Sequence, residues 1–369
     1  MPSSDFHLFL DNKLASDEQL GVFGQIRIDQ AIGMATEAEL DVDLRVDEDG
    51  AWQGMDDSFV QPGARIRVEI KVGDNGTYIP LIDGPIIGTR FELTADAGSK
   101  MVVVVQDDSV LLNRDEEVVL FEDKRADEIA SQLFSDFGLT AEVDQFPDAG
   151  SALKRFTVQR GTAMQLLREL ARNHGAHLYV KPGTTPGTSV GVFKYPNWDT
   201  SSLPELLMLG EERNVASFRC ELDATRPLTA IAYSVTASDK SVIGSTLDTP
   251  DITALGDEAV HTVLTPAQTL LSRTREEQSD LDEAVFAAVN LSTFAYAASG
   301  EVTADSYEGV LQPYQIVSVA GIGGTLSGDY LISRVSHLLL DDTYTQQFEL
   351  KRNARSSATA SSGVPGGIA

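Results

Sequence analysis

The sequence predicts a mainly β chain with an α+β insert, two antiparallel β-barrels flanking a small α/β domain. Three observations predict it. Apolar and polar residues alternate with period two over much of the first third and again near the end, the period changes to helical spacing in the middle, and one order of turns and strands occurs twice. At 369 residues the chain is long enough for two or three domains. The expected division is 1–112, 113–212 and 213–354, followed by a flexible Gly/Ser/Ala tail at 355–369.

The elements follow in order. Leu40, Val42 and Leu44 alternate with Glu39, Asp41 and Asp43, and Ile66, Val68, Ile70 and Val72 alternate with Arg65, Arg67, Glu69 and Lys71. Each set reads as a strand with one buried and one wet face. The turns between strands are read at Gln61-Pro62-Gly63, Asp74-Asn75-Gly76 and Asp96-Ala97-Gly98. Met101 to Val105 is uninterruptedly apolar and reads as a strand covered on both faces.

Beyond residue 112 helices appear. Ile129, Leu133, Phe134 and Phe137 mark a short surface helix that Gly138 ends. A second starts at Thr162 with Gln165 at capping-box spacing, runs through Leu166, Leu167, Leu170 and Ala171, and stops at Gly175. His177 to Val180 resumes a strand, 181–191 reads as a long hairpin tip, and Phe193 and Tyr195 as the return. After strands near Phe218, Cys220 and Ile231, the stretch from 238 to about 272 lacks a period and reads as an exposed insertion or a partly disordered loop. A helix from Ser279 and Asp282 through Leu281, Val285, Ala288, Ser292 and Tyr296 is expected to end at Gly300. The close is β again.

The repeat aligns Gln61-Pro62-Gly63 and Asp83-Gly84 with Gln312-Pro313-Tyr314 and Gly328-Asp329-Tyr330, each followed by a paired set of strands. It predicts two related barrels.

Composition excludes several functions. The 56 acidic and 28 basic residues leave a formal charge of −28, which repels nucleic-acid phosphates and anionic membranes. Lysine is scarcer than arginine, 9 against 19, so a saline habitat, a solubility device and the wall of a conduit all remain readings of the acidity. No run reaches the ~18 apolar residues of a membrane-spanning helix. Asp5, Asp11, Asp17 and Glu18 interrupt the first thirty residues, so no Sec signal is read and folding in the cytoplasm is expected. Cys220 is the single cysteine, which removes intrachain disulfides, and it reads as a buried structural residue of a strand.

Catalytic and ligand sites are weighed and set aside. His174 and His177 flank a helix stop and lack a third ligand, so neither metal nor cofactor is expected. His261 has no triad order around it, and Gly321-Ile322-Gly323-Gly324 lacks the Lys-Ser/Thr of a phosphate loop. Asp107-Asp108 and Asp341-Asp342 read as solvated turn residues. No enzyme is expected. Two other classes stay open: an extracellular carbohydrate- or protein-binding β protein, and a spike-associated hydrolase.

The chain resembles the phage late control gene D proteins, baseplate hubs related to the hub part of type VI secretion spikes and of extracellular contractile injection systems. Gln159 and Thr162 with Leu170 and Gly175 look like the family's strand, capped helix and glycine stop. Gln312, Pro313, Gly328, Tyr330, His337 and Tyr344 look like its second signature, and Gln61, Pro62 and Gly84 like a weaker third. Tyr314 departs from it, standing where the family carries glycine. The resemblance implies two tube-like barrels per chain and a homotrimer that joins a sixfold tail tube to a threefold spike. It further implies a separate spike protein, a tail tube protein and other baseplate proteins as partners, without direct nucleic-acid binding or membrane insertion, and a place in a virion or phage-tail-like particle after assembly. On that reading Glu39, Asp41 and Asp43 line or border the lumen, unless theirs is an outer solvated face, while Arg65, Arg67, Glu69 and Lys71 meet a neighbouring barrel.

Overall fold

The computed structural model describes residues 4–50, 52–73, 76–94, 98–146, 156–236, 239–271, 278–340 and 343–357. The turns expected at Asp74-Asn75 and Asp96-Ala97, the Asp341-Asp342 pair and residues 358–369 of the expected tail lie outside them. The chain is mainly β with an α+β insert. The first strand-rich part contains β1 (Ser4–Leu10), β2 (Phe23–Ala31), β3 (Glu37–Asp43), β4 (Arg65–Val72), β5 (Ile79–Glu92) and β6 (Lys100–Gln106). The middle part contains β7 (Glu116–Glu122), α1 (Ala126–Asp136), β8 (Thr140–Val143), β9 (Phe156–Thr162), α2 (Ala163–His174), β10 (His177–Pro182) and β11 (Ser189–Lys194).

The second strand-rich part opens with β12 (Leu206–Leu207) and β13 (Ser217–Leu222). It then forms a small unit of β14 (Leu228–Val235), β15 (Val242–Leu247), β16 (Ala267–Leu271) and α3 (Gln278–Ser292), and closes with β17 (Tyr296–Thr303), β18 (Ile316–Ala320), β19 (Gly328–Leu340) and β20 (Thr343–Arg352).

The two strand-rich parts do not stand apart. They share one thirteen-stranded sheet whose path runs β13-β17-β20-β19-β2-β3-β6-β5-β4-β1. The seam is β2 against β19, antiparallel, with Arg334 opposite Ala31 and Leu339 opposite Ile26. Behind one half Leu8, Ile28, Leu40, Val68 and Val103 form a core that Leu339 and Tyr344 also enter, and Val317, Tyr330, Ile332, Val335 and Phe348 form its counterpart.

β3 alternates as expected and β6 is covered on both faces, whereas in β4 the polar-face Arg67 is buried as well. In β3 Ala38, Leu40 and Val42 are fully buried, and in β6 Met101, Val102, Val103 and Val105 are buried. In the middle part Thr162 caps α2, accepting from the Gln165 backbone N–H at 3.2 Å, while Gln165 accepts from the Thr162 N–H at 3.2 Å. Gly175 ends the helix at φ 63°, the left-handed conformation that glycine adopts without a Cβ clash. Leu170 and Leu167 pack from α2 onto Ile129, Leu133 and Phe134 of α1.

Three expectations need correction. Of the stretch read as lacking a period from 238 to about 272, the described residues 239–271 include β15 and β16, which flank β14 in a three-stranded sheet on which α3 packs through Leu281, Val285 and Val289. Its strands are short, and none of their residues is fully buried, so the apolar residues among Ser, Thr and Gln leave only a faint period. The third helix ends at Ser292, and Tyr296 and Gly300 belong to β17. Gly300 is small for another reason, since a Cβ there would meet the Phe348 ring at 2.6 Å. The hairpin tip spans only 183–188, because β10 continues to Pro182 and β11 starts at Ser189.

Candidate interaction face

The internal repeat is repeated hydrogen bond for hydrogen bond. In the first copy Gly63 N–H donates to the Ile86 carbonyl at 2.9 Å, and Ile86 N–H to the Ala64 carbonyl at 2.8 Å. In the second, Tyr314 N–H donates to the Ile332 carbonyl at 3.1 Å, and Ile332 N–H to the Gln315 carbonyl at 2.8 Å. Directly beyond, both copies slip register, β5 against β6 between Ile86 and Gly88 and β19 against β20 between Ile332 and Arg334. Ile86 therefore corresponds to Ile332, which aligns Asp83 with Asp329 and shifts the sequence alignment of Gly84 with Gly328 by two positions.

Each glycine has its own reason. A Cβ on Gly84 would lie 1.8 Å from the Gln106 carbonyl oxygen, and one on Gly328, at φ 135°, 2.3 Å from the Arg352 guanidinium. Gly84→Ala is therefore expected to lower stability by about 3 kcal/mol or more, since two paired backbones must part. Chemical denaturation measures it, and a loss below about 1 kcal/mol would show that β5 moves freely there.

Tyr314 keeps the left-handed turn of its glycine counterpart, at φ 70° against 91° for Gly63. The strain of a tyrosine in that region, of order 1 kcal/mol, is offset by contacts to both other parts of the chain. Its hydroxyl accepts from Gly33 N–H at 2.8 Å and its ring stacks on Tyr179 at 4.0 Å. Gln312 beside it donates to the Pro80 carbonyl at 3.4 Å, and Gln61 to the Met55 carbonyl at 2.7 Å. Pro62 and Pro313 precede the two left-handed residues in equivalent turns. Gln159 is buried and donates to the Gly161 carbonyl at 3.0 Å.

At the seam His337 is completely buried, its Nδ1 2.7 Å from the Tyr344 hydroxyl and its Nε2 3.2 Å from Gln30 Oε1. Tyr330 donates to the Leu326 carbonyl at 2.7 Å under the buried Arg352 guanidinium, whose carbon lies 5.1 Å from the centre of the Tyr330 ring. These residues hold the frame and present no reactive group to solvent.

Glu39, Asp41 and Asp43 lie on the face of β3 opposite its buried Ala38, Leu40 and Val42, the first two half-buried and Asp43 exposed. Their surroundings are not purely acidic. Arg90 pairs with Glu39, Lys100 with Asp41 at 3.1 Å, Arg27 with Asp29 at 2.9 Å and Arg334 with Asp29 at 3.1 Å. The cations that the β3 sequence lacks come from Lys100 on the adjacent β6 and from Arg90 on β5, one strand further along the sheet.

Arg65 and Arg67 are also corrected, since their charges are satisfied within the chain. Arg67 is 2% exposed and pairs with Glu69 at 2.7 Å and with Asp83 at 3.0 Å, and it donates to the Gly183 carbonyl at 2.8 Å. Arg65 pairs with Asp83 at 2.6 Å and with Asp108 at 2.7 Å. Gly187 N–H and Ser189 hydroxyl, from the β10–β11 hairpin, donate to Asp83 and Asp108 at 2.9 and 2.7 Å. Asp107 and Asp108 are thus buried rather than solvated, and burial pushes the Asp107 carboxyl up to about 6.

The two helix-stop histidines separate. His174 lies 2.9 Å from Glu283 of α3, whereas His177 meets Tyr314 edge-on at 4.8 Å and burial pushes it down to about 4. Among the described residues no three His, Cys, Asp or Glu are grouped to hold a metal ion, and no helix is long and apolar enough to cross a membrane.

The family model described as the Alg8 N-terminal domain matches residues 15–341. No curated protein sequence matches. Among solved structures, the 43 kDa tail protein of prophage MuSo2 from Shewanella oneidensis is similar at 14% identity and TM-score 0.67, over 95% of this chain and 99% of that one. A tail protein from Neisseria meningitidis MC58 is similar at 14% identity and TM-score 0.64, over 95% and 97%. The E. coli c3393 protein, a type VI secretion component described as structurally similar to T4 bacteriophage tail proteins gp27 and gp5, is similar at 9% identity and TM-score 0.55, over 91% and 76%. At these identities the shared property is the fold.

Proposed function

We propose that this chain, which belongs to the Alg8 N-terminal domain family, is a structural, non-enzymatic baseplate hub of a contractile phage tail or phage-tail-like injection system. In detail it is a hub of the late control gene D kind, a homotrimer that joins a sixfold tube to a threefold spike. The observation that carries the reading is the duplicated frame, two modules with the same turn hydrogen bonds and the same register slip, set side by side through β2 and β19. Three such chains supply six similar modules to a tube and three identical faces to a spike. A duplicated chain has that use in a symmetry mismatch, and neither a carbohydrate-binding β protein nor a hydrolase requires it. The tail-protein fold of its structural neighbours supports the same reading.

On this reading the wet face with Glu39, Asp41 and Asp43 turns to the lumen. Its charges alternate in sign through Arg27, Arg90, Lys100 and Arg334, so it resembles a screened polar wall more than a repelling one. Partners are a separate spike protein, a tail tube protein and other baseplate proteins. Native mass measurement of the chain, alone and with its spike protein, tests the assembly. Three copies are expected, and a stable dimer or a complex of two chains with one spike ends the reading.

A further inference from the structure

The seam inside the chain specifies a second seam between chains. β2 is the outermost strand of the first module and pairs with the distal half of β19, in the second module. The counterpart of β2 is β13, the outermost strand of the second module and the terminal strand of the whole sheet. The counterpart of distal β19 is distal β5, which is paired on one side by β6, while its pairing with β4 ends where Pro85 lies opposite Arg65. Among the described residues, the chain therefore ends in one unpaired copy of each half of its own seam. The same contact repeated between chains is heterologous and closes a ring when its rotation permits.

We propose that β13 of one chain pairs antiparallel with residues 88–93 of the next, in the register of the internal seam. This rests on the hub reading and goes further by fixing the residue pairs. The Ala38–Val105 and Ala298–Leu350 pairings align the inner strands of the two modules, and Ile28 opposite Ala38 then corresponds to Cys220 opposite Ala298. On the other strand Gly88 corresponds to Arg334 through their equivalent partners Val104 and Glu349. Ser336 opposite Asp29 becomes Arg90 opposite Glu221, and Leu338 opposite Arg27 becomes Glu92 opposite Arg219. His337 opposite Ile28 becomes Phe91 opposite Cys220.

Side-chain chemistry agrees with that register, which was derived from backbone pairing alone. Both charged pairs are of opposite sign, and opposite charges directly across strands are favourable. A slip by one residue would place Phe91 opposite a charge. The inward side chains are apolar and incompletely covered in one chain, with Phe91 47%, Leu93 51% and Leu222 45% exposed. An uncapped edge with apolar residues invites strand addition.

Cys220, the single cysteine, supplies the test. In the register given, Phe91→Cys faces Cys220 of the next chain, and cross-strand Cα separations of about 4.5–5.5 Å fall within disulfide reach. Mild oxidation of the variant with its spike protein should give linked dimers and trimers on a non-reducing gel. Cys220→Ser in the same background should abolish them, and Leu93→Cys should give none. Independently, Arg90→Glu or Glu221→Arg should each weaken assembly about tenfold, with the double variant recovering most of the loss. Native mass separates the two ideas. A trimer without the cross-link, or without recovery in the double variant, overturns the register and leaves the hub reading standing, whereas a chain that remains single with its spike overturns both.

Discussion

Asp83→Ala is expected to lower the stability of the chain by about 3–5 kcal/mol, the cost of removing one partner from a buried ion pair. Asp83 is 1% exposed and accepts from Arg65, Arg67 and the Gly187 N–H. Removing it leaves Arg67 with Glu69 and the Gly183 carbonyl, in a site where two guanidiniums lie close together. The same carboxylate fastens the β10–β11 hairpin to β5 and to the β4 arginines, so that hairpin should also exchange its amide hydrogens faster. Equilibrium denaturation with hydrogen exchange measures both effects. Replacing Arg67 by Met alongside should recover only part of the loss, because the buried guanidinium that has lost Asp83 is removed while Glu69 loses its own partner. A loss under about 1 kcal/mol would mean that water enters and solvates the arginines.

This cluster marks where the sequence stops being legible. Period two assigned Arg65 and Arg67 to the polar face of β4, and that assignment is right for the strand. What covers the face is a hairpin more than a hundred residues later, and local alternation carries no record of distant packing. Asp107 and Asp108 were misread in the same way, since adjacent acids at a strand end look solvated until Arg65, Ser189 and the Thr36 N–H are found around them. Thr162, Gly175 and the strands flanking Gln61 and Gln312 were legible because their chemistry is local: a capping box, a left-handed stop, a turn. Tyr314 lies between these cases. The departure from glycine was visible, but that the turn would hold its left-handed φ depended on Gly33 and Tyr179, which lie in two other parts of the chain. The acidity of β3 was real in its own sequence and partly cancelled by strands whose neighbourhood only the sheet order reveals.

Lowering the pH from 7 to 5 should cost the chain about 2 kcal/mol through His337 alone. Burial pushes this imidazole down to about 3, against a weak upward pull from Asp29, while the unfolded chain binds the proton near 6.5. Between those values the unfolded state holds a proton that the folded state refuses. The contribution is therefore complete above about 6.5 and is lost progressively as pH falls towards 3. The bonds explain the refusal. Gln30 uses its amide N–H on the Leu81 carbonyl at 2.8 Å, so its oxygen takes the Nε2 proton, and Nδ1 is left to accept from Tyr344. A proton on Nδ1 would turn that acceptor into a donor beside a buried hydroxyl. His177, pushed down to about 4, adds a slope of the same sign, and Asp107, pushed up to about 6, adds the opposite sign. The difference between the chain and its His337→Gln variant isolates the one group. Urea denaturation of both at pH 7 and pH 5 should show the variant less stable at pH 7 and less sensitive to acid by about 2 kcal/mol. Equal acid sensitivity in the two would show that His337 takes up its proton within the fold, and that the seam between the modules opens to admit it.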